Sequence, residues 1–374
     1  AMPSRQSHAV AGGLRPVVVL GAGQIGQAIA LKLFDAGGYA LLVADRNAAS
    51  LQRLHALTGV ATAHIQDAGG LESVIAGGFA VLNALPFHQA VPVATLCVRH
   101  GVHYFDLTED VASTQAIRNL ARDARSVLMP QCGLAPGFIG VVGNDLAGRL
   151  DVARSLRLRV GALPRYPQGS LRYSLTWSTE GLINEYCKPC EVIAQGRRST
   201  VPALDGLEPL LIDGVEYEAF HTSGGLGTLT QTWEGRIEQL DYKTIRYPGH
   251  RAAMQLLLTE LRLSERRELL KELLEGAIAG TQQDVIVILA SAMGQRAGRL
   301  VQESYAARIT GTRLRGTTLS AIQHTTAASI CTALDLVSTQ RLPQAGFVGQ
   351  EQMALTDFLA NRFGCIYDAG ASQA

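Results

Sequence analysis

The chain has 374 residues, enough for two domains of ordinary size. Of these, 47% are hydrophobic and 17% are charged, a balance that fills globular cores and excludes an extensively disordered chain. The formal net charge is only +1 and the basic residues are dispersed, so we expect no nucleic-acid partner and no anionic membrane partner.

The first five residues precede no apolar segment of the kind that forms a signal peptide. The order Ala1-Met2 is typical of the remnant of an expression tag. Apolar stretches such as residues 285–290 have the length of a strand and are too short to cross a bilayer. We therefore expect a cytoplasmic protein without a membrane-spanning segment.

The first predicted strand, residues 17–20, leads into a Gly-x-Gly-x-x-Gly loop, and a predicted helix over residues 24–36 follows. In a dinucleotide-binding βαβ unit the first glycine permits a tight turn and the second lets backbone approach the pyrophosphate. The third glycine lets the helix pack closely, and the helix N-terminus binds the phosphates. The residues of this loop that we expect to contact the cofactor are Gly21, Gly23, Gln24, Ile25 and Gly26.

The second predicted strand, residues 40–44, ends at Asp45, about 20 residues after the glycine loop begins. A carboxylate at this point accepts hydrogen bonds from the adenosine ribose and repels a 2′-phosphate. Arg46 follows and could instead stack on adenine or pair with that phosphate. Because the carboxylate should dominate, the sequence favours NAD, and NADP is the less favoured alternative.

Further apolar strands are predicted at residues 79–83, 102–106 and 126–130, with helices between them. Uninterrupted apolar strands that alternate with helices predict a doubly wound parallel sheet, the Rossmann arrangement. The loops after these strands should surround the nicotinamide half of the cofactor, although ordinary turns are an alternative interpretation. Their candidate contact residues are Asn83, Ala84, Leu85, Pro86, Gly133, Ala135 and Pro136.

After about residue 150 the predicted strands become longer and more polar, as in residues 171–177, which predicts a second domain of the α+β class with a mixed sheet. A long apolar helix over residues 322–336 is expected to return to the first domain. The predicted division therefore assigns residues 1–135 and 322–374 to a cofactor-binding domain and residues 136–321 to a substrate domain.

Cys187 and Cys190 are spaced as in metal-binding and redox motifs. A zinc site would need a second ligand pair at matching spacing, and the sequence has none. A redox pair normally opens a helix after a strand, whereas this pair follows a helical pattern. We therefore expect no metal site, and the role of the two cysteines stays open.

Several segments together resemble the saccharopine dehydrogenase-like family, and most of all its lysine 6-dehydrogenase branch. The resemblance extends from about residue 16 to about residue 345, with the segments in the same order and at similar spacing. The segments that carry it are 21–26, 83–89, 133–137, 178–182, 218–225 and 241–250.

The resemblance implies NAD-dependent oxidation of the ε-amine of L-lysine to allysine, which cyclises to piperideine-6-carboxylate, with release of ammonia. It also implies a mixed-sheet catalytic domain inserted after the Rossmann domain and homodimers or larger homo-oligomers formed through that second domain. Relatives such as saccharopine reductase and carboxynorspermidine dehydrogenase form a secondary amine, which is the first alternative. A non-catalytic NAD-binding sensor is the second.

Amine oxidation needs a proton acceptor and groups that hold the amino-acid head. The predicted catalytic residues are His221 as the base, Asp106 as a base or orienting group, and Lys243. If Lys243 and Arg246 lie on a helix or turn, their spacing of three lets both face the pocket and hold the carboxylate. The predicted substrate-binding residues are Glu180, Thr222, Ser223, Tyr242 and Arg246.

Structural alternatives exist for several of these residues. His221 could be an ordinary polar side chain, and Lys243 and Arg246 could be solvated surface. Asp106 could cap the helix that is predicted to begin near Asp110. His250 is interpreted as a residue at the start of a helix rather than as a ligand.

Overall fold

The computed structural model describes residues 13–368, so the expectation about the first five residues lies outside the described part. Within this range, seven parallel strands form the first sheet. They are β1 (Arg15–Leu20), β2 (Tyr39–Asp45), β3 (Ala61–His64), β4 (Ala80–Asn83), β5 (His103–Asp106), β6 (Val127–Met129) and β17 (Gly346–Phe347). Their spatial order, β17-β6-β5-β4-β1-β2-β3, is the doubly wound dinucleotide-binding order with β17 added at one edge. The predicted Rossmann sheet is confirmed.

Five helices connect the first six strands and cover both faces of this sheet. They are α1 (Gln24–Ala36), α2 (Ala48–Thr58), α3 (Ala68–Ala76), α4 (Ala90–His100) and α5 (Val111–Leu120). Along β1, Val17 and Val19 belong to one hydrophobic cluster, whereas Val18 and Leu20 belong to another on the opposite face. Both faces of the strand are buried, which explains why its sequence is apolar without alternation.

Eight strands of the described chain form the second sheet. They are β7 (Val152–Pro164), β8 (Cys190–Ala194), β9 (Arg197–Val201), β10 (Glu208–Ile212), β11 (Val215–His221), β12 (Gln239–Arg246), β13 (Asp284–Arg296) and β14 (Arg299–Thr310). The main order is β10-β11-β12-β7-β13-β14, and β8 pairs with β12 and β9. Because β12 and β7 are parallel while the other pairs are antiparallel, the sheet is mixed, as predicted.

The remaining elements surround this second sheet. The hairpin strands are β15 (Thr312–Leu314) and β16 (Thr317–Leu319). The helices are α6 (Phe138–Gly148), α7 (Thr179–Cys187), α8 (Leu229–Trp233), α9 (His250–Gln255), α10 (Arg267–Ala277), α11 (Ala321–Ser338) and α12 (Leu355–Ala360). Short 3₁₀ turns occur at Phe87–Gln89, Ala121–Asp123, Leu263–Glu265, Gln350–Gln352 and Gly364–Tyr367, and a π-helical turn occurs at Leu256–Glu260.

Helix α11 returns from the second sheet and packs against α1 of the first domain, as predicted. Its N-terminus is closed by a capping box between Ser320 and Gln323. Both carboxylate oxygens of Asp284, the first residue of β13, accept hydrogen bonds from the amides of Ala321 and Ile322. This helix therefore joins the two sheets through one hydrophobic cluster, which contains residues of both.

Residues 171–177, which the sequence predicts to be a strand, form a loop. Leu175 makes an isolated bridge to Gly280, and the segment is part of neither named sheet. Tyr173 is buried in a cluster with residues of α7 and α9. The alternation of polar and apolar residues thus reflects loop side chains packed on helices, and the strand prediction is wrong.

No helix of residues 13–368 is both long enough and apolar enough to cross a membrane.

Candidate active site

The glycine loop after β1 gives each glycine a different role. Gly21 has a φ of +101°, which favours glycine, and a side chain there would lie 3.1 Å from the carbonyl oxygen of Ala84. A Cβ at Gly26 would lie 1.8 Å from the Gly21 carbonyl oxygen, so only glycine allows α1 to pack here. A Cβ at Gly23 would meet nothing within 4 Å. Gly23 therefore faces open space at the start of α1, where a pyrophosphate can approach.

Asp45 at the end of β2 is held against this loop. Its Oδ2 accepts a hydrogen bond of 2.5 Å from the amide of Ala22, and Oδ1 accepts one of 2.7 Å from the amide of Asn47. Arg46 is exposed beside it. A helix start with free amides and an acid at the next strand end are the features that hold a dinucleotide, so the residues present fit such a cofactor.

A cavity of about 360 Å³, called the main cavity here, lies between the first domain and the second sheet. Residues of the predicted cofactor loops line it together with Ile322 and Thr326 of α11. Those predicted residues are Ile25, Asn83, Ala84, Leu85, Pro86, Gly133, Ala135 and Pro136. From the predicted catalytic and substrate-binding set, the lining includes Asp106, Glu180, Tyr242 and Arg246.

Asp106 is buried at the end of β5, and its carboxylate accepts three hydrogen bonds. The hydroxyl of Tyr104 donates to Oδ2 at 2.6 Å, and the amides of Thr108 and Gln131 donate to Oδ1 at 3.0 and 2.9 Å. Burial raises the pKa of the carboxyl to about 6, against the lowering effect of these donors. Asp106 therefore fixes two cavity loops relative to each other.

Arg246 is the one lysine or arginine among the described residues that line the main cavity, and it is only 2% exposed. Its Nε donates to the hydroxyl of Tyr186 at 2.9 Å, and Nη1 donates to the carbonyl of Ile245 at 2.9 Å. The guanidinium also lies over the ring of Tyr173, 5.0 Å from its centroid. The Nη2 group makes no hydrogen bond to any residue that the structure describes, so it is available to a carboxylate.

His250 supports Arg246 from behind. Its Nδ1 lies 2.8 Å from the carbonyl oxygen of Leu171, which can only accept, so Nδ1 carries the proton. Nε2 then accepts from the hydroxyl of Tyr186 at 2.9 Å, and that hydroxyl accepts from Arg246. Burial, followed by the charge of Arg246, lowers the pKa of His250 to about 3, so the ring stays neutral. His250 does begin α9, as expected, and it also fixes the Tyr186 hydroxyl.

Two carboxyl groups that the sequence did not single out, Glu109 and Glu185, also line the main cavity. Burial raises the pKa of Glu185 to about 8, while the positive charge of Arg246 opposes the rise and the charge of Glu109 adds to it. Burial also raises the pKa of Glu109. The cavity therefore holds two carboxyl groups whose ionised forms a bound cation would further stabilise.

His221 and Lys243 do not line the main cavity. Both lie in strands, His221 at the end of β11 and Lys243 within β12, and they are directly opposite each other in the register. Side chains three apart on a strand point to opposite faces, so Lys243 faces away from Arg246. The expectation that both cations face the pocket is wrong, because the segment is a strand and not a helix or turn.

On that far face, Lys243 belongs to an ion-pair network, and His221 lies beside it. Arg159 bonds to Glu208 at 2.5 Å and to Asp241 at 2.8 Å, and Lys243 bonds to Glu208 at 2.9 Å. Burial lowers the pKa of His221, whose Nδ1 lies 3.3 Å from the carbonyl oxygen of Tyr242. The ion-paired groups satisfy one another and connect neighbouring strands, and neither Lys243 nor His221 lines the main cavity.

The two hydroxyls predicted to bind substrate lie behind the main cavity. Thr222 shares a hydrogen bond of 2.6 Å with Thr244, which does line the cavity. Ser223 donates to the carbonyl of Pro189 at 2.9 Å. Thr222 therefore fixes a lining residue, and Ser223 fixes the loop between Cys187 and Cys190. Both cysteines carry free thiols, and no cluster of three or more metal-ligating side chains occurs in the described part of the chain.

Two family models cover most of the sequence. The model described as "Saccharopine dehydrogenase NADP binding domain" matches residues 17–128, and the one described as "Saccharopine dehydrogenase C-terminal domain" matches residues 133–363. The chain belongs to the saccharopine dehydrogenase family. As a member of that family it is an oxidoreductase with a nicotinamide-dinucleotide-binding domain.

Solved structures with a similar fold include a saccharopine dehydrogenase (L-Glu forming) from Saccharomyces cerevisiae. It shares 16% sequence identity, with a TM-score of 0.71 over 90% of this chain and 94% of that chain. An engineered D-amino acid dehydrogenase bound to NADP+ aligns at 14% identity and a TM-score of 0.47, over 92% of this chain and 96% of that one. A myo-inositol dehydrogenase from Corynebacterium glutamicum aligns at 13% identity and 0.45, over 96% and 97%.

Two residues of the main cavity, Glu109 and Glu185, were not selected from the sequence, although each has a feature there that could have indicated it. Glu109 lies three residues after β5, at the carboxyl end of a parallel strand, where ligands are expected. Glu185 lies on α7 among the buried Leu182, Ile183 and Tyr186, and a carboxylate on such a face is unusual. The contact between Tyr186 and His250 joins residues 64 positions apart and had no sequence signal.

Proposed function

We propose that this chain is an NAD-dependent dehydrogenase that oxidises the ε-amine of L-lysine to allysine and releases ammonium. The observation that supports it best is the charge of the main cavity. Among the described residues that line it, Arg246 is the single lysine or arginine, whereas four are acidic: Asp106, Glu109, Glu180 and Glu185. Lysine carries one carboxylate and two amines, which matches one cation and several acids.

The α-amino-acid head fits the pair formed by Arg246 and Glu185. The free Nη2 group of Arg246 would hold the α-carboxylate, and the neighbouring Glu185 carboxylate would hold the α-ammonium. Both side chains are at least nine-tenths buried, so each contact would be made in a medium of low polarity, where it is stronger than in water. Glu180, exposed in the first turn of α7, would attract the cationic substrate at the rim.

The ε-amine would lie toward the first domain, beside Glu109 and the two loops that begin at Asn83 and Gly133. NAD, when bound there, supplies the hydride acceptor. An ammonium has no lone pair to drive hydride departure, so its proton must first be lost, and the raised pKa of Glu109 suits it to accept that proton. Water then adds to the oxidised carbon, and the nitrogen leaves as ammonium.

Asp45 supports NAD over NADP, because its carboxylate would face a 2′-phosphate.

We further propose that the chain forms a homodimer or larger homo-oligomer. On the far face of the second sheet, alternate residues of β14 such as Ser304 and Ala306 are exposed, which leaves room for a second copy. Size-exclusion chromatography with light scattering would test the oligomeric state.

The activity is tested by following NADH at 340 nm with lysine, ornithine, cadaverine, saccharopine and carboxynorspermidine. Lysine should be the best substrate, and cadaverine should be poor because it cannot use Arg246. Saccharopine carries three carboxylates, and the lining residues offer one cation for them. NADH formation from saccharopine, with none from lysine, would contradict the proposal. Carboxynorspermidine is the stronger competitor, because it too has one carboxylate and several amines.

A further inference from the structure

A second cavity of about 460 Å³, called the rear cavity here, lies behind Glu109 and Glu185. It is lined by residues of α5, α7 and β8, and its lining includes none of the predicted cofactor-loop residues. Both glutamates line the main cavity as well as the rear cavity. The two spaces therefore meet at a pair of carboxyl groups.

The ionisable side chains of the rear cavity are unbalanced toward negative charge. Four are acidic (Glu109, Asp110, Glu185 and Glu191), and two, Lys188 and Arg198, are basic. Lys188 is neutralised by Asp110, with Nζ 2.8 Å from Oδ1. Arg198 is neutralised by Glu234, which lies outside the lining, at 3.0 Å. Glu109, Glu185 and Glu191 are left without a basic partner in this lining, so a cation that enters the cavity would favour their ionised forms.

Glu185 is the second observation that points to a ligand. It is only 9% exposed, and its carboxyl group accepts no hydrogen bond from any residue between 13 and 368. The backbone carbonyl of the same residue, by contrast, accepts from the amide of Ser223 at 2.9 Å. A buried carboxyl that lines two cavities without a donor is what a cationic ligand would satisfy.

We propose that the rear cavity binds an ammonium ion or an alkylammonium group, next to the carbon that is oxidised in the main cavity. The origin of this ligand rests on the proposed function, because oxidation of lysine would release the ammonium. After water adds to the oxidised carbon, the C–N bond breaks, the nitrogen keeps the electron pair and takes a proton, and the carbon becomes an aldehyde. The ammonium so formed leaves past Glu109 into a space that attracts cations. In an enzyme that joins a diamine instead, the same space would hold its second amine.

Binding is tested without turnover by saturation-transfer difference NMR of n-propylammonium on the full-length protein. Glu191 lines the rear cavity and is absent from the main cavity. Glu191→Gln should weaken binding about threefold to tenfold, the effect of removing one partly buried charge. Gln231→Lys, which adds a cation to the same lining, should weaken it further. Glu238→Gln removes an exposed carboxylate paired with Arg154 and should change nothing.

The source of the ligand is tested in the reductive direction, with allysine, NADH and a varied amine. Glu191→Gln should raise the KM for ammonium while leaving the KM for NADH unchanged. Use of 1,3-diaminopropane in place of ammonium would assign the space to a second substrate amine. Unchanged propylammonium binding in both variants overturns the proposal, even if lysine is oxidised. If lysine is not oxidised but binding falls in both variants, the proposed function fails and the cation site stands.

Discussion

Arg246 donates a hydrogen bond of 2.9 Å from Nε to the hydroxyl of Tyr186, and this contact sets the direction in which the guanidinium enters the main cavity. The hydroxyl can accept this bond because it donates its own hydrogen bond to Nε2 of His250. Nδ1 of His250 in turn donates to the carbonyl of Leu171. Three side chains are thus aligned by one backbone carbonyl.

The Tyr186→Phe variant should therefore raise the KM for lysine more than it lowers kcat. The change removes the acceptor of the Arg246 Nε group but keeps the ring. Losing one such bond costs roughly 0.5–1.5 kcal/mol, or about twofold to tenfold in kcat/KM. Steady-state kinetics with lysine would measure it. Tyr247→Phe is a matched control. The Tyr247 hydroxyl donates to the carbonyl of Pro164, and Tyr247 does not line the main cavity, so this variant should leave KM unchanged.

The Glu185→Gln variant should change how stability depends on pH. Burial raises the folded-state pKa of Glu185 to about 8, above its ordinary value of 4.5, so the folded state retains the proton longer than the unfolded state. Stability from this group is thus complete below about pH 4.5 and is lost as the pH rises toward 8. The Tm of the variant, relative to the parent, should increase between pH 5 and pH 9. A constant difference in thermal scans across that range would contradict the assignment, and Glu180→Gln, at an exposed site, is the control.

His221→Ala and Lys243→Ala should leave kcat and KM for lysine within about twofold of the parent, since neither side chain lines the main cavity. Both side chains lie on the far face of the second sheet. Lys243→Ala should lower Tm, because it removes the partner of Glu208 in a half-buried ion pair. A large loss of kcat in His221→Ala, with a lost acidic limb in the pH profile, would restore the catalytic role that the sequence predicts.

The contrast between these residues shows how far the sequence carries the structure. Strands 17–20 and 40–44, the glycine loop and helix α1 were predictable because their contacts are local and their apolar runs are continuous. The two-residue strand β17 is too short to give a pattern. Whether Lys243 and Arg246 point to the same face depends on whether residues 239–246 form a strand or a helix. The spacing of these two residues alone did not decide this.

The site residues that follow strand ends were predictable from the sequence. The site residues brought in by contacts between distant parts of the chain were not. Asp106 and the loop at Asn83 lie at carboxyl ends of parallel strands, and both line the main cavity. Glu185 and His250 reach the site through the packing of α7 and α9 against the second sheet. That packing joins residues far apart in the chain, so the sequence did not show that either side chain reaches the site.

The two glycines of the cofactor loop should respond differently to substitution. Gly23→Val should fold normally and lose dinucleotide binding, because its side chain would enter open space that a pyrophosphate needs. Gly26→Val should instead reduce soluble yield or Tm, since its Cβ would lie 1.8 Å from the Gly21 carbonyl oxygen. Thermal unfolding and NADH fluorescence titration would separate the two effects. Normal NADH affinity in Gly23→Val would mean that the dinucleotide does not cross this loop.

The parent enzyme should prefer NAD to NADP, and Asp45→Asn should narrow the difference. The carboxylate is fixed by the amides of Ala22 and Asn47, so it cannot turn away from a 2′-phosphate. Asparagine keeps the size and one acceptor oxygen but removes the charge, and like-charge repulsion of a few kcal/mol corresponds to about tenfold or more in kcat/KM. Arg46, exposed beside it, would then be free to pair with the phosphate. Adding Arg46→Ala to Asp45→Asn should therefore abolish the gain with NADP while leaving kcat/KM for NAD nearly unchanged. Measured kcat/KM values for both cofactors test this prediction. A parent enzyme with a higher kcat/KM for NADP than for NAD would show that Arg46, rather than Asp45, determines the cofactor preference.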